Sequence, residues 1–177
     1  MVHDGRILIM PKLNLASGKR PMTGYINIDA VPGDDVDLVA NVLDLRQFAD
    51  GTIEEIYSEH LIEHFDRNEI SQFFRECNRL LQINGRLKLV APSLEKAVLK
   101  VANGMADLDW LDHFMYANHT HLYDYHKQGI FEAKLRRLAS ENGLTVERIY
   151  LQDRRHSPDE IVMEATKTMD LKNSMQE

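Results

Sequence analysis

The chain of 177 residues is 44% hydrophobic and 28% charged, which suits one soluble globular domain with a core of its own. Its net charge of −7 disfavours nucleic acid and anionic membranes as partners. The single cysteine excludes an internal disulfide and a cysteine-based zinc site.

The first half of the chain predicts short strands and one helix. The expected strands are a lead-in segment within residues 1–10, then residues 12–16, 25–30, 36–42, 52–58 and 86–91. Asp66, with Glu69 three positions on, begins a predicted amphipathic helix that Asn84-Gly85 ends. Cys77 lies on the apolar face of this helix, where a small core residue is expected and not a nucleophile.

The second half begins with residues 93–128, which show no regular pattern and are expected to form a variable cap segment. A second helix is predicted over residues 131–141, followed by strands at 145–151 and 161–167. The pattern predicts an α/β fold, a Rossmann-like mixed sheet that is mostly parallel, with an antiparallel C-terminal strand and helices on both faces. We expect a single domain over residues 1–177, a core at about 12–167 and a frayed tail at 168–177.

Residues 12–29, KLNLASGKRPMTGYINID, join two apolar strands through a tight turn and end in an acid. Gly18 can adopt a positive φ, and Asp29 would lie at the carboxyl end of its strand, where a carboxylate can accept both hydroxyls of a ribose. The dinucleotide motif G-x-G-x-x-G is absent. The alternative interpretation is a hairpin-like turn followed by a core strand.

A second candidate site follows the predicted strand at 52–58, in the sequence SEHLIEH. Ligands bind outside the carboxyl ends of the strands of an α/β sheet, so Ser58, Glu59 and His60 are expected at the same rim as Gly18 and Asp29.

The same letters match the zinc motif H-x-x-E-H, with His60 and His64 as ligands and Glu63 acting on bound water. That alternative, a zinc hydrolase, requires a helix through the segment. If the helix starts at Asp66 instead, His64 and Phe65 simply precede its first turn. No metal ligand is assigned.

Two further groups of residues each have two interpretations, between which the sequence does not decide. Asn41 and Val42 could contact an adenine, or Asn41 could satisfy a turn. The sequence HTHLYDYH, residues 119–126, could line a substrate pocket or form a surface cap.

Taken together, these segments resemble the class I S-adenosylmethionine-dependent methyltransferases, in particular a small type-11-like branch. The similarity covers roughly residues 12–167. The segments that carry it are LNLASG, GYINIDA, VANVLDL, EEIYSEHLIEHF and LLQINGRLKLVAPS, which are similar to that branch's LNLGSG, GYINVD, ADLRDL, DEIYSSHVLEHL and LLKPGGRLRIAVPD. The stretch from His121 to Ile149 resembles the segment that precedes the last two strands of the family.

The resemblance implies S-adenosylmethionine as the cofactor and names the residues around it. Three positions depart from the family: Ala16 and Asn84 replace glycines, and Asn41 replaces an aspartate. Asparagine tolerates the left-handed conformation. The implied contacts are Leu15, Ala16, Ser17 and Gly18 with the methionine moiety, Asp29 with the ribose, Asn41 and Val42 with the adenine, and Ser58, Glu59 and His60 between donor and acceptor.

The predicted function is methyl transfer to a small molecule or a saccharide, with His60 as general base or acceptor-orienting group. The alternative from another class is a nucleoside-binding or partner-binding domain of the same fold without turnover. No apolar run approaches 18 residues and the N-terminus does not resemble a signal peptide, so we expect a cytoplasmic protein. The sequence does not indicate the oligomeric state.

Overall fold

The structure, a computed structural model, describes residues 2–3, 6–7, 10–117, 124–154 and 157–171. Residues 119–123 of the predicted pocket wall and residues 172–177 of the predicted tail lie outside these ranges. The strands are β1 (Val2–His3), β2 (Arg6–Ile7), β3 (Lys12–Leu15), β4 (Ile26–Asp29), β5 (Leu38–Val39), β6 (Ile53–Glu59), β7 (Leu81–Pro92), β8 (Leu144–Arg154) and β9 (Ser157–Lys167). The α-helices are α1 (Arg67–Leu80), α2 (Leu94–Ala102), α3 (Leu108–Tyr116) and α4 (Glu132–Glu141).

Seven of these strands form one mixed sheet in the order β5-β4-β3-β6-β7-β9-β8. The pairs from β5 to β7 are parallel, and β9 runs antiparallel to both of its neighbours. The predicted Rossmann-like mixed sheet with an antiparallel C-terminal strand is therefore confirmed. β1 and β2 pair with each other in a separate hairpin.

One face of the sheet carries the hydrophobic core. Leu13, Ile56 and Leu87 are paired across β3, β6 and β7, and all three are fully buried. The strand alternation that puts them on one face leaves their neighbours on the other. Phe73 of α1 and Leu135 of α4 are buried in the same cluster, so these two helices cover this face.

The opposite face is largely polar. In-register polar side chains cross it on four strands: Asn14, Tyr57, Lys88 and Glu164. Val90, Val162 and Ala97 are buried but lie outside the main core cluster. Ala97 belongs to α2, which contacts β9, so α2 packs near one end of this second face.

The start of α1 follows from a complete capping box. The Asp66 carboxylate accepts the N–H groups of Asn68 and Glu69, at 2.7 and 2.9 Å, and the Glu69 carboxylate accepts the N–H of Asp66 at 2.7 Å. The predicted start of this helix is confirmed. Cys77 is buried in the core, and burial raises the pKa of its thiol well above the ordinary value, as suits a packing residue.

The predicted end of that helix is wrong. α1 stops at Leu80, and Leu81 already pairs with Ile53 as the first residue of β7. Asn84 lies inside β7 in the left-handed region, at a φ of 65°. The next residue must be a glycine, since a Cβ on Gly85 would lie 2.8 Å from the carbonyl oxygen of Gln82.

Two further expectations need correction. Within residues 93–128, the structure forms α2 and α3, whose N-terminal N–H groups are capped by Ser93 and Asp107. The predicted strand at 36–42 is reduced to Leu38–Val39, and just before it the Asp37 carboxylate accepts the backbone N–H of Asn27 at 2.7 Å. In the described ranges, every helix is too short or too polar to cross a membrane.

Candidate active site

Gly18 and Asp29 meet where two parallel strands end. β3 stops at Leu15 and β4 stops at Asp29, so the turn that leaves β3 passes over the tip of β4. The Gly18 N–H donates to Oδ2 of Asp29 at 2.8 Å, and the Val31 N–H donates to Oδ1 at 2.9 Å. Each carboxylate oxygen keeps a second lone pair, so Asp29 is fixed in position and can still accept hydrogen bonds.

The turn itself requires unusual backbone angles. Ala16 and Gly18 have φ values of 57° and 51°, and the N–H of Ser17 between them donates to the carbonyl of Ile28 at 3.0 Å. This conformation costs a residue with a Cβ about 1–2 kcal/mol and costs glycine almost nothing. This cost explains why the family that the chain resembles has a glycine at the position of Ala16. A Cβ on Gly18 would meet nothing within 4 Å, so open space lies beside it.

A cavity of about 330 Å³ lies beside this turn. Its volume falls within the range of small-molecule sites, about 300–1,000 Å³. The hydroxyl of Ser17 is buried there with no hydrogen-bond partner among the described residues. The cavity is lined by Asn14, Ala16, Ser17, Arg20, Pro21, Met22, Tyr57 and Glu59.

One wall of the cavity is charged. Arg20 from the turn forms an ion pair with Glu59 at the end of β6. The hydroxyl of Tyr57 donates to the other oxygen of Glu59 at 2.5 Å. The pair of Arg20 and Glu59 joins the turn after β3 to the tip of the neighbouring strand, and the sequence offers no local signal for it because the two residues are 39 positions apart.

Asn41 and Val42 lie away from this cavity. Neither lines it, and the side-chain oxygen Oδ1 of Asn41 accepts the N–H of Leu43 at 2.9 Å, as in the turn interpretation. Val42 is 7% exposed and packs in the main core. The structure therefore brings Ala16, Ser17, Gly18 and Asp29 together, and of these four Ala16 and Ser17 line the cavity. It places the two proposed adenine contacts farther along the same edge of the sheet.

The three residues at the end of β6 have different surroundings. Ser58 is buried, and its hydroxyl donates to the carbonyl of Leu15 at 3.1 Å, which ties β6 to β3. Glu59 lines the cavity. His60 leaves the strand with a φ of 52°, in the left-handed region that side chains rarely adopt. Such strain is found at functional sites more often than elsewhere.

The His60 ring lies between two buried carboxylates. Its Nε2 is 2.9 Å from Oε1 of Glu160, which is fully buried, and its Nδ1 is 3.4 Å from Glu63. Gln152 donates to the second oxygen of Glu160 at 2.7 Å. Burial lowers the pKa of His60, but the neighbouring carboxylates of Glu63 and Glu160 outweigh it and raise the pKa overall. Sequence reasoning missed Glu160, which is 100 residues away along the chain.

The helical zinc motif is wrong for this segment. β6 ends at Glu59, a short 3₁₀ helix covers Ile62–His64, and α1 begins only at Arg67. His60 and His64 therefore do not project from one face of an α-helix, which the H-x-x-E-H interpretation requires.

Sequence and structure comparisons both point to one fold family. Residues 22–89 match the family described as methyltransferase domain. Among curated proteins, none matches the chain in sequence. The matched segment runs from the end of the turn beside the cavity to the middle of β7, so it includes Asp29 and His60.

Solved structures share this architecture at low sequence identity. The 1,6-didemethyltoxoflavin-N1-methyltransferase of Burkholderia thailandensis, which was solved with 1,6-didemethyltoxoflavin and S-adenosylhomocysteine, has a TM-score of 0.62 and 14% identity, covering 89% of this chain and 71% of its own. An S-adenosylmethionine-dependent methyltransferase of Methanosarcina mazei has a TM-score of 0.62 and 15% identity, covering 92% and 95%.

A third neighbour is the geranyl diphosphate C-methyltransferase of Streptomyces coelicolor, with a TM-score of 0.59 and 12% identity, covering 90% of this chain and 72% of its own. It was solved with Mg²⁺, geranyl diphosphate and S-adenosylhomocysteine. The molecules bound with S-adenosylhomocysteine in the first and third neighbours differ, so the shared fold does not indicate an acceptor. The predicted resemblance is confirmed at the level of the fold: the chain has the fold of class I S-adenosylmethionine-dependent methyltransferases, and its residues 22–89 match the family described as methyltransferase domain.

Proposed function

We propose that this protein transfers a methyl group from S-adenosylmethionine to a small-molecule or saccharide acceptor. The observation that carries the proposal is the contact between Gly18 and Asp29, beside a cavity of about 330 Å³, at the strand ends of this fold. Neighbours solved with S-adenosylhomocysteine support the choice of donor. We infer one domain over the chain and a cytoplasmic location as part of the same proposal.

The residues at the rim suit this donor chemically. The carboxylate of Asp29 has acceptor capacity left for ribose hydroxyls. The Ser17 hydroxyl, buried without a partner among the described residues, can bind a polar group of the methionine moiety. The open space beside Gly18 lets a ligand approach the backbone closely. Leu15 ends the strand beneath, and Asn41 with Val42 remains the proposed adenine contact.

S-adenosylmethionine, when bound, supplies an electrophilic methyl group on a sulfonium. Alignment of donor and acceptor then provides much of the rate, and Ser58 and Glu59 at the tip of β6 are proposed to line the space between them. For a hydroxyl acceptor, His60 is proposed as the base. Its Nε2 lies 2.9 Å from the Glu160 carboxylate, a contact that orients the ring at the end of β6.

The test of donor binding is calorimetry with S-adenosylmethionine and S-adenosylhomocysteine. Asp29→Ala removes the acceptors for the ribose and is expected to weaken binding by about 10-fold or more, since a lost hydrogen bond to a charged group is worth about 1.5–3 kcal/mol. Asp34→Ala, a change at an exposed acid in the turn after β4, serves as the matched control and should bind as the unchanged protein does. Equal affinity in both variants would rule out the assigned role of Asp29.

The alternative is a domain that binds a nucleoside or a partner without turnover. Ala16 favours this alternative, because it puts a methyl group and a strained backbone where the family has glycine. An acceptor screen that measures release of S-adenosylhomocysteine separates the two. Release with any small-molecule or saccharide acceptor supports the enzyme, whereas donor binding with no release over a broad acceptor set supports the binding domain.

A further inference from the structure

Three side chains converge beside the proposed active site: Glu63, His64 and His126. One possible metal-binding atom from each lies within 4.8 Å of those from the other two. The rings of His64 and His126 contact each other edge to face, with centroids 5.0 Å apart. The two histidines are 62 positions apart in sequence, so this cluster exists only in the folded chain.

Glu63 is the unusual member of this cluster. The residue is 1% exposed, and neither of its carboxylate oxygens has a hydrogen bond among the described residues. The nearest ring nitrogens are Nδ1 of His60 at 3.4 Å and Nε2 of His64 at 3.9 Å. Charge-assisted hydrogen bonds are shorter, about 2.7–2.9 Å. A buried carboxylate in this state is costly unless a cation is bound to it.

In both histidines, Nδ1 contacts a backbone carbonyl of the described residues. Nδ1 of His64 is 3.0 Å from the carbonyl oxygen of Tyr125, and Nδ1 of His126 is 3.0 Å from that of Phe114. A carbonyl only accepts hydrogen bonds, so each Nδ1 carries the proton and each Nε2 keeps its lone pair. Metal-binding histidines are held in this way, with the second ring nitrogen donating to a carbonyl or a carboxylate.

Two hydrogen bonds fix the two halves of the cluster together. The backbone N–H of Lys127 donates to the carbonyl of Glu63 at 2.8 Å, and the side-chain Nε2 of Gln128 donates to the carbonyl of Phe65 at 2.9 Å. A cavity of about 10 Å³ lies against Glu63 and His126. A space of this size holds about one water molecule or one ion.

We propose that Glu63, His64 and His126 bind a divalent first-row transition metal ion, with Zn²⁺ and Mn²⁺ as the first candidates. Two imidazole nitrogens and one carboxylate are a ligand set that such ions accept. This site differs from the helical motif excluded above, because His126 comes from the segment after α3 and His60 is not a ligand. Three protein ligands leave a coordination position open for water or, if the proposed methyl transfer is correct, for an oxygen of the acceptor.

The test uses the full chain after treatment with EDTA, titrated in a calorimeter with ZnCl₂ and separately with MnCl₂. We expect about one ion per chain, and we expect Glu63→Gln and His126→Ala each to weaken binding by about 100-fold or more, because each removes a direct ligand. His113→Ala changes an exposed histidine on α3 and should leave the affinity unchanged. Absence of binding, or equal affinity in Glu63→Gln and the unchanged protein, overturns the proposal.

Thermal unfolding of the same variants shows whether a loss of metal binding is caused by disruption of the fold. Without metal, Glu63→Gln should melt no lower than the unchanged protein, because it removes a buried charge that has no hydrogen bond among the described residues. Added metal should raise the melting temperature of the unchanged protein and of His113→Ala, and not that of Glu63→Gln. A metal-dependent rise of equal size in Glu63→Gln contradicts the site. Binding of S-adenosylmethionine, measured with EDTA present, reports on the proposed function independently.

Discussion

His60 combines a strained backbone conformation, contacts with buried carboxylates and a proposed role as the catalytic base. Its left-handed φ of 52° turns the ring from the end of β6 towards Glu160. We predict that His60→Gln lowers the release of S-adenosylhomocysteine by about 100-fold, the usual contribution of a general base. Glutamine keeps an amide donor for Glu160 but cannot take a proton, so the affinity for S-adenosylmethionine should be unchanged. The two measurements are turnover and calorimetry on one preparation.

A matched control separates proton transfer from positioning. His113→Ala should turn over as the unchanged protein does, since this histidine is exposed on α3. If His60→Gln retains full turnover, the ring only holds Glu160 in place and the base is another group.

The sequence could predict one half of this site and not the other. Gly18 and Asp29 each follow a strand, and parallel strands end at one edge, so their meeting follows from local patterns. Glu160 lies on the antiparallel strand β9, and His126 lies near the end of residues 93–128, in which the sequence shows no regular pattern. Their positions depend on the strand order β7-β9-β8 and on the packing of residues 124–128 against the 3₁₀ helix, which no local spacing encodes.

At the scale of elements, α1 fixes the position of the loop that connects β5 to β6. Arg79, near the end of the helix, donates to the backbone carbonyls of Leu45 and Phe48, at 3.1 and 2.9 Å. It also contacts the carboxylates of Asp50 and Glu76. We predict that Arg79→Ala lowers the free energy of unfolding by about 1.5–3 kcal/mol, the range for hydrogen bonds to a charged group. Urea unfolding followed by circular dichroism measures this difference.

The same helix offers a control. Arg75 is exposed on α1, and Arg75→Ala should change the free energy of unfolding by less than about 0.5 kcal/mol. Similar losses in the two variants would show that helix propensity, and not the contacts of Arg79 with the loop, is responsible.

The helices and strands could be predicted from the sequence where the residues that determine their ends are close together along the chain. The capping box at Asp66 fixes the start of α1 through contacts between neighbours in sequence. The end of α1 was mispredicted because Leu81 pairs with Ile53, a contact of long range that outweighs the turn signal at Asn84. The helices α2 and α3 did have local signals, the caps at Ser93 and Asp107, which sequence reasoning overlooked.

At the scale of the molecule, the two faces of the sheet are stabilised differently. One face is buried by α1 and α4, and the other depends on polar pairs between strands. The most connected group on that face is Glu164, which accepts two hydrogen bonds from Arg148, at 2.7 and 3.0 Å, and lies 3.1 Å from Lys88. Cross-strand pairs of opposite charge stabilise a sheet by roughly 0.2–1 kcal/mol each.

This arrangement predicts how stability depends on pH. The hydrogen bonds from Arg148, with Lys88, outweigh burial and lower the pKa of Glu164 from 4.5 to about 2. Because the folded pKa is the lower one, the stabilisation is complete above pH 4.5 and is lost as pH falls towards about 2. We predict that Glu164→Gln lowers the free energy of unfolding by about 1 kcal/mol near pH 7, a value reduced for solvent screening.

The difference between Glu164→Gln and the unchanged protein should shrink as pH falls from about 7 to about 3, because the unfolded chain then binds the proton that the folded carboxylate resists. Urea unfolding at several pH values measures it. Glu147→Gln, on the exposed side of β8, should differ little from the unchanged protein at every pH. A difference for Glu164→Gln that stays constant over this range contradicts the assignment, since the contribution of the carboxylate would then not depend on its charge.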